Sequence, residues 1–282
     1  MPIRKLPDLT PEQVVSLQDA LLANANSLFE AALSLLDLGQ VALARSLAIL
    51  GLEESGKAIA IHDRRVKIAH EPEGTPFRCD SLDALWASHE QKLNKVYEFL
   101  LWERYWFGER SYPDENAEML GTIKRWAQRH DNLKKRGFYV ELDATGKPLA
   151  PSDLSDEDSL LSVLRYVHQI GWQLRLGEHI EGKKQDEQEA EIPAWTAEDA
   201  EWVLGLPGLV DNPAALEAFS PHEALPGTPL TNAAYRFNPP GADRSPFRNL
   251  GRPGYEAEDR ELAGMAEELE RESSTRREPD TD

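Results

Sequence analysis

Apolar residues recur at helical spacing through most of the first 180 positions. Thr10-Pro11-Glu12-Gln13 has the make-up of a helix start: a hydroxyl cap, a proline for the first turn and a glutamine to complete a capping box. Val15, Leu17, Leu21, Leu22, Ala25, Leu28, Phe29, Ala32, Leu35 and Leu36 then keep helical phase, which predicts a helix to about Asp37. Leu38-Gly39-Gln40 reads as a turn so short that the next helix must return antiparallel. That second helix is predicted over about 41–69. Leu43, Leu47, Leu50, Glu54, Lys57 and Ile61 lie close to one face, and Ala44, Ala48, Gly51, Gly56 and Ala58 keep the neighbouring surfaces small. A third helix is predicted from Ser81, with the stripe Leu82, Trp86, His89, Leu93, Val96 and Leu100, extended by Trp102, Tyr105, Trp106 and Phe107. A fourth is predicted over about 116–133. Residues 137–143 alternate like an extended segment and run into an Ala-Thr-Gly-Lys turn. Helical spacing resumes near Ser155 and lasts to about His179.

Beyond residue 181 the pattern weakens. Residues 182–191 are charged and polar, short helices are predicted near 196–204 and 214–219, and prolines then punctuate the chain. Residues 255–270 are acidic and helix-prone with a thin apolar face, and 271–282 read as a disordered end. The expected fold is all-α: an antiparallel helical bundle over 10–180 with a short extended insertion, followed over 181–282 by a linker, short helices and an irregular acidic appendage.

Charge narrows the function classes. The 282 residues are 40% apolar and 29% charged, with a formal net charge of -19. That balance argues against a free-standing nucleic-acid binder, because a phosphate backbone demands local positive charge. Two basic clusters remain, Arg64/Arg65/Lys67 and Lys134/Lys135/Arg136, and such runs ordinarily mark solvated helix ends. Cys79 is the single cysteine, so no intrachain disulfide or multi-cysteine zinc site can form. No basic-then-apolar leader and no apolar run near 18 residues is present, so the expectation is a cytoplasmic chain without a membrane span. A glycine-rich phosphate loop and a Gly-x-Ser-x-Gly elbow are both missing.

Candidate chemistry lies in polar groups set on apolar faces. Glu53 and Glu54 stand four and three residues before Lys57, and His89 stands three before Lys92. Burying charge is costly unless it is paired, so inward polar groups on two helices point to a shared polar centre. Such a centre can fix helix register, bind a phosphate or carboxylate through Lys57 and Lys92, or hold a metal through Glu53, Glu54 and His89. The metal reading suffers from its lysine neighbours, which repel a cation. Separately, Arg65 and His70 have the arginine–histidine spacing of the active motif in the HEPN class of helical ribonucleases, where arginine holds a phosphate and histidine moves a proton. Arg125 and His130 repeat that spacing, and Arg175 and His179 fall one residue short of it in the last bundle helix.

The layout resembles the AbiV family of abortive-infection proteins, which defend bacteria against phage. The resemblance rests on the Ala/Leu-rich first helix, on Ala42-Leu-Ala-Arg-Ser-Leu-Ala48 leading to Glu53-Glu-Ser-Gly-Lys57, on His89-Glu-Gln-Lys92, and on Lys134-Lys-Arg-Gly-Phe-Tyr-Val140 with Asp143. It covers roughly residues 10 to 180. It implies a HEPN-related helical domain, a response to a phage-encoded trigger protein, and interference with RNA or the translation machinery. If the chain is an enzyme, the implied activity is metal-independent endoribonuclease chemistry with no cofactor. His89, Lys92, Glu54 and Lys57 are then the catalytic group, Arg136 and Tyr139 contact substrate, and Arg65 with His70 is the alternative pair. A homo-oligomer, such as a dimer, is expected. The competing class is a non-enzymatic adaptor whose acidic tail docks a basic protein.

Overall fold

The Thr10 cap forms as its sequence dictates: its hydroxyl accepts from the Gln13 N–H and the Gln13 side chain closes the box. The computed structural model describes residues 5–105, 112–153, 156–189, 230–243, 245 and 247–275. Helix α1 (Pro11–Asp37) turns at Leu38 and Gly39, whose φ of 71° is the left-handed conformation glycine tolerates, and α2 (Val41–Ile68) returns antiparallel to it. Helix α2 is the centre of the fold, buried on nearly every side against α1 and the later helices. Its small residues make this possible: Gly51 faces the Ala25 carbonyl and Val167, and Gly56 lies directly on the backbone of Lys92.

The predicted third helix is two. Helix α3 (Asp80–Ala87) ends at Ser88, which is extended and caps α4 (His89–Trp102) by accepting from the Gln91 N–H. The connection after α2 and helix α3 carry the chain back along α2, so α4 advances in the same direction as α2, from the Glu53–His89 contact to the Asp63–Lys95 ion pair. The predicted fourth helix is likewise divided, into α5 (Pro113–Leu120) and α6 (Ile123–Arg136). The break is at Gly121, φ 75°, whose carbonyl accepts from the Tyr97 hydroxyl. Helix α6 packs antiparallel to α2; the Ser46 hydroxyl donates to the Lys134 carbonyl, and Gly137 leaves room for Ser46 and the Ala42 carbonyl.

The extended insertion is a two-stranded antiparallel hairpin, β1 (Glu141–Leu142) against β2 (Pro148–Leu149), with Asp143 accepting from the Thr145 and Lys147 N–H groups across its turn. A single 3-10 turn (Pro151–Asp153) leads to α7 (Glu157–Glu189). Helix α7 runs ten residues past the predicted end at His179. Its charged extension is held by the returning chain: Gln185 accepts from the Phe237 N–H, and Asp186 and Glu189 pair with Arg236.

The described residues of the C-terminal part pack on the bundle. Tyr235, in a 3-10 turn (Ala233–Tyr235), stacks on Phe77 with centroids 5.6 Å apart and donates to the Leu9 carbonyl. Helix α8 (Glu256–Thr275) packs on α7 and α1, with Glu258 bound to His179, Glu261 to His168 and Arg260 to Asn26. The short helices predicted at 196–204 and 214–219, Trp106, Phe107, and residues 276–282 lie outside the described residues. Among the described residues the fold is all-α apart from the hairpin, and a hydrophobic core runs between α1, α2, α4, α6 and α7.

Candidate functional site

Three helices each deliver one charged or ionisable group to a common point. Glu53 projects from the middle of α2 and is 3% exposed. One of its oxygens accepts from Lys134 Nζ of α6 at 2.5 Å. The other meets Nδ1 of His89, the first residue of α4, also at 2.5 Å. Lys134 is buried as well and makes a second, longer pair with Asp131 at 3.3 Å. The His89 side chain, by contrast, is 61% exposed. A buried carboxylate thus holds a solvent-facing imidazole by its inner nitrogen. Lys134 Nζ lies 3.4 Å from the same Nδ1, so the closer carboxylate assigns the Nδ1 proton to the Glu53 bond and leaves Nε2 as the basic nitrogen.

Lys92 sits one turn beyond His89. It is 9% exposed, and among the described residues no acid comes within ion-pairing distance of it. Burial lowers its pKa from the ordinary lysine value, Glu53 and Glu54 partly offset this, and Lys57 and Lys134 add to the lowering. Gly56 makes the arrangement possible, because any side chain there would collide with the Lys92 carbonyl and push α4 off α2. Beside the cluster, Glu54 pairs with Lys57 at 2.6 Å, and the Lys57 ammonium stands 5.6 Å from the centroid of the Trp86 ring.

The arrangement can do two things. A carboxylate-oriented imidazole with a free Nε2 can act as general base. Lys92, with Lys57 nearby, supplies positive charge for an anionic substrate. A metal at Glu53 would have to displace the Lys134 ammonium, and the described residues contain no group of three metal-ligating side chains.

A family model described as AbiV, of HEPN type, matches residues 13–172. The chain belongs to the AbiV family. That membership brings an abortive-infection role in phage defence. The matched stretch contains Glu53, His89, Lys92 and Lys134, whereas Arg175, Glu178 and α8 lie beyond it. No curated protein and no solved structure matches the chain. Among the described residues, no helix is long and apolar enough to cross a membrane.

The expected site residues of this AbiV-family chain divide by location. His89, Lys92, Glu54 and Lys57 occupy one region, but it is Glu53 rather than Glu54 that holds His89. Lys134 belongs to the same cluster, although the Lys-Lys-Arg run reads in sequence as a solvated helix end. A signal of its burial was present: Lys134 follows Trp126 and His130 at intervals of eight and four, the buried face of α6. Arg136 and Tyr139 stand apart from His89, lining a small surface cleft of about 70 Å³ with Glu141, Leu149, Ala150 and Asp153.

Arg65 and His70 form no joint site. Arg65 is buried; it donates to Gln18 and to Glu178 and lies 4.1 Å from the Phe237 ring centroid. It belongs to an interior network in which Arg175 also binds Glu178, Asp19 and the Gly254 carbonyl. Burial works to raise the Glu178 pKa, but Arg175 and Arg65 outweigh it and hold the carboxyl below its usual range. The other two spaced pairs are also split. Arg125 is exposed while His130 is buried on the Trp126 carbonyl, and Arg175 is buried while His179 pairs with Glu258.

Proposed function

We propose that this abortive-infection effector acts on RNA, cleaving it without a metal at His89 once a phage-encoded protein has triggered it in the host cytoplasm. The observation that carries the reading is the His89–Glu53 contact: an exposed imidazole held through Nδ1 by a buried, lysine-neutralised carboxylate. His89 Nε2 takes the proton of a ribose 2′-hydroxyl. The oxygen attacks the adjacent phosphorus, and the bond from phosphorus to the 5′-oxygen of the next nucleotide breaks. The 5′-oxygen leaves with a proton from Lys92, which burial makes a stronger acid, and the other product carries a 2′,3′-cyclic phosphate. Lys92, with Lys57 beside it, offsets the phosphate charge in the transition state. Glu53 positions His89 and stabilises the imidazolium. Arg136 and Tyr139 contact the strand away from the reacting atoms.

The test is incubation of the purified protein, alone and with candidate phage proteins, with total RNA in excess chelator, followed by mapping of RNA ends. Cyclic-phosphate ends lost in H89A and reduced in E53Q support the reading. Cleavage by H89A at the wild-type rate sinks it. R65A/H70A runs beside them with a melting curve, since the interior position of Arg65 makes loss of fold the expected cause of any defect. If triggered wild type stops translation and leaves all RNA intact, the chain acts by binding instead.

A further inference from the structure

The outer face of α6 runs against the acidic charge of the chain. The sequence holds 50 acidic residues against 31 Lys and Arg, yet six of those 31 fall within the 14 residues of α6 alongside a single acid, Asp131. The helix sorts them. Trp126, Ala127, His130 and Lys134 face inward, while Lys124, Arg125, Arg129 and Lys135 are exposed and share the opposite face. Elsewhere cations are largely spoken for: Arg64, Lys95, Arg175 and Arg236 all have acid partners. Among the described residues, Lys124, Arg125 and Arg129 have none within ion-pairing distance. At 1.5 Å per residue, the row from Lys124 to Lys135 spans roughly 16 Å. Just past its end stand two exposed aromatic rings, Phe138 at 42% and Tyr139 at 65% exposure, set at 62° to each other.

Lys135 pairs with Asp131 at 2.5 Å, and the three unpaired cations before it give an otherwise acidic chain a local face that attracts a polyanion. Exposed rings at the end of a basic row are what unpaired bases stack on, whatever their sequence. We propose that the outer face of α6, continued by Phe138 and Tyr139, is a track for single-stranded RNA, carried on the helix whose inner face supplies Lys134. This rests on the reading of His89 as an RNA-cleaving residue and adds where the substrate lies and in what form.

Fluorescence anisotropy with a labelled 12-nucleotide single-stranded RNA, on the full chain across a salt series, tests it. For a single strand, each phosphate that a cation no longer neutralises lowers the slope of log affinity against log salt by about 0.7. The triple variant K124A/R125A/R129A is therefore expected to lower the slope by about 2, and R125K/R129K to keep it. Tyr139→Ala is expected to weaken single-strand binding by on the order of tenfold and to leave binding of a duplex of the same length unchanged. K183A, at a 79% exposed site on α7, is the surface control and should bind as wild type. All these residues are exposed, and a melting curve confirms that each variant folds. A wild-type slope in the triple variant, or no single-strand binding by wild type, overturns the track. H89A separates the two readings, since it should bind with the wild-type slope and not cleave. Cleavage that survives in the triple variant at wild-type affinity would remove the track and leave the His89 chemistry standing.

Discussion

Replacing Glu53 by alanine removes the acceptor shared by Lys134 and His89, and the two partners differ sharply in what they lose. Lys134 is buried, so its ammonium would be left to the more distant Asp131 at 3.3 Å. Breaking a buried ion pair by removing one member costs about 3–5 kcal/mol. Asp131, itself shared with Lys135, places the expected loss near the lower end of that range. His89 is mostly solvated and loses orientation rather than stability, so H89A is expected to change stability by less than about 0.5 kcal/mol. Replacing both buried charges should recover part of the cost, because no charge is then left unpaired, although the smaller alanine leaves a cavity in both E53A and the double variant. E53A/K134M is therefore expected to lie at least about 2 kcal/mol above the sum of its single variants. Urea melts at about pH 7.5, followed in parallel by circular dichroism and tryptophan fluorescence, give the four stabilities of the cycle. An E53A variant within about 0.5 kcal/mol of wild type, or strictly additive single variants, would refute the claim that Glu53 is the buried hub of the cluster.

Acid should destabilise the fold before its carboxylates titrate. Burial pulls both His62 and His130 down to about 4 from an ordinary 6.5, so below pH 6.5 the unfolded chain binds protons that the folded chain refuses. The stability these two provide is complete above pH 6.5 and is lost as pH falls toward 4, by about 2 kcal/mol per histidine at pH 5; H130F should remove roughly half of that drop in urea melts. Gly56→Val should cost more than about 2 kcal/mol and separate α4 from α2, whereas Gly264→Ala on α8, where an added Cβ meets open space, should be neutral or stabilising by up to about 1 kcal/mol in thermal melts. Tyr255 lies over the Arg175 guanidinium at 3.7 Å, so Y255A should speed hydrogen exchange across 256–275 while leaving α2 protected; uniform exchange in the variant would show that α8 is docked by other contacts.

The local parts of this fold were legible because they are local. The Thr10 box, the Leu38-Gly39 turn and the hairpin turn at Asp143 all depend on neighbours within a few residues. The break at Ser88 was hidden by an apolar stripe that continues in phase across it, since one extended residue does not disturb the spacing of Leu82, Trp86, Leu93 and Val96. The choice between Glu53 and Glu54 was hidden for a different reason. Helical phase identifies an inward face only when another face is wet, and α2 is buried on nearly all sides. Adjacent glutamates on such a helix point in directions about 100° apart, and only the positions of α4 and α6 decide which meets a histidine. Among the described C-terminal residues, the proline-rich composition masked the aromatic residues that pack on the bundle, Tyr235, Phe237 and Tyr255.

The resulting division of labour follows from exposure. Glu53 and Lys134 are both buried and answer each other's charge, so the cost of placing a carboxylate inside a helical bundle is met within the bundle and does not depend on what happens at the surface. His89 is attached to that pair at a helix start, where Ser88 fixes the first turn and the ring stays mostly open to solvent. An imidazole in this position can move without disturbing the core. The same carboxylate buried without Lys134 would have only His89 as a partner, and the surface residue would then carry the cost of the buried charge. The lysine that charge patterning assigns to solvent is therefore what frees His89 from the charge balance of the core, which the proposed role as a base requires.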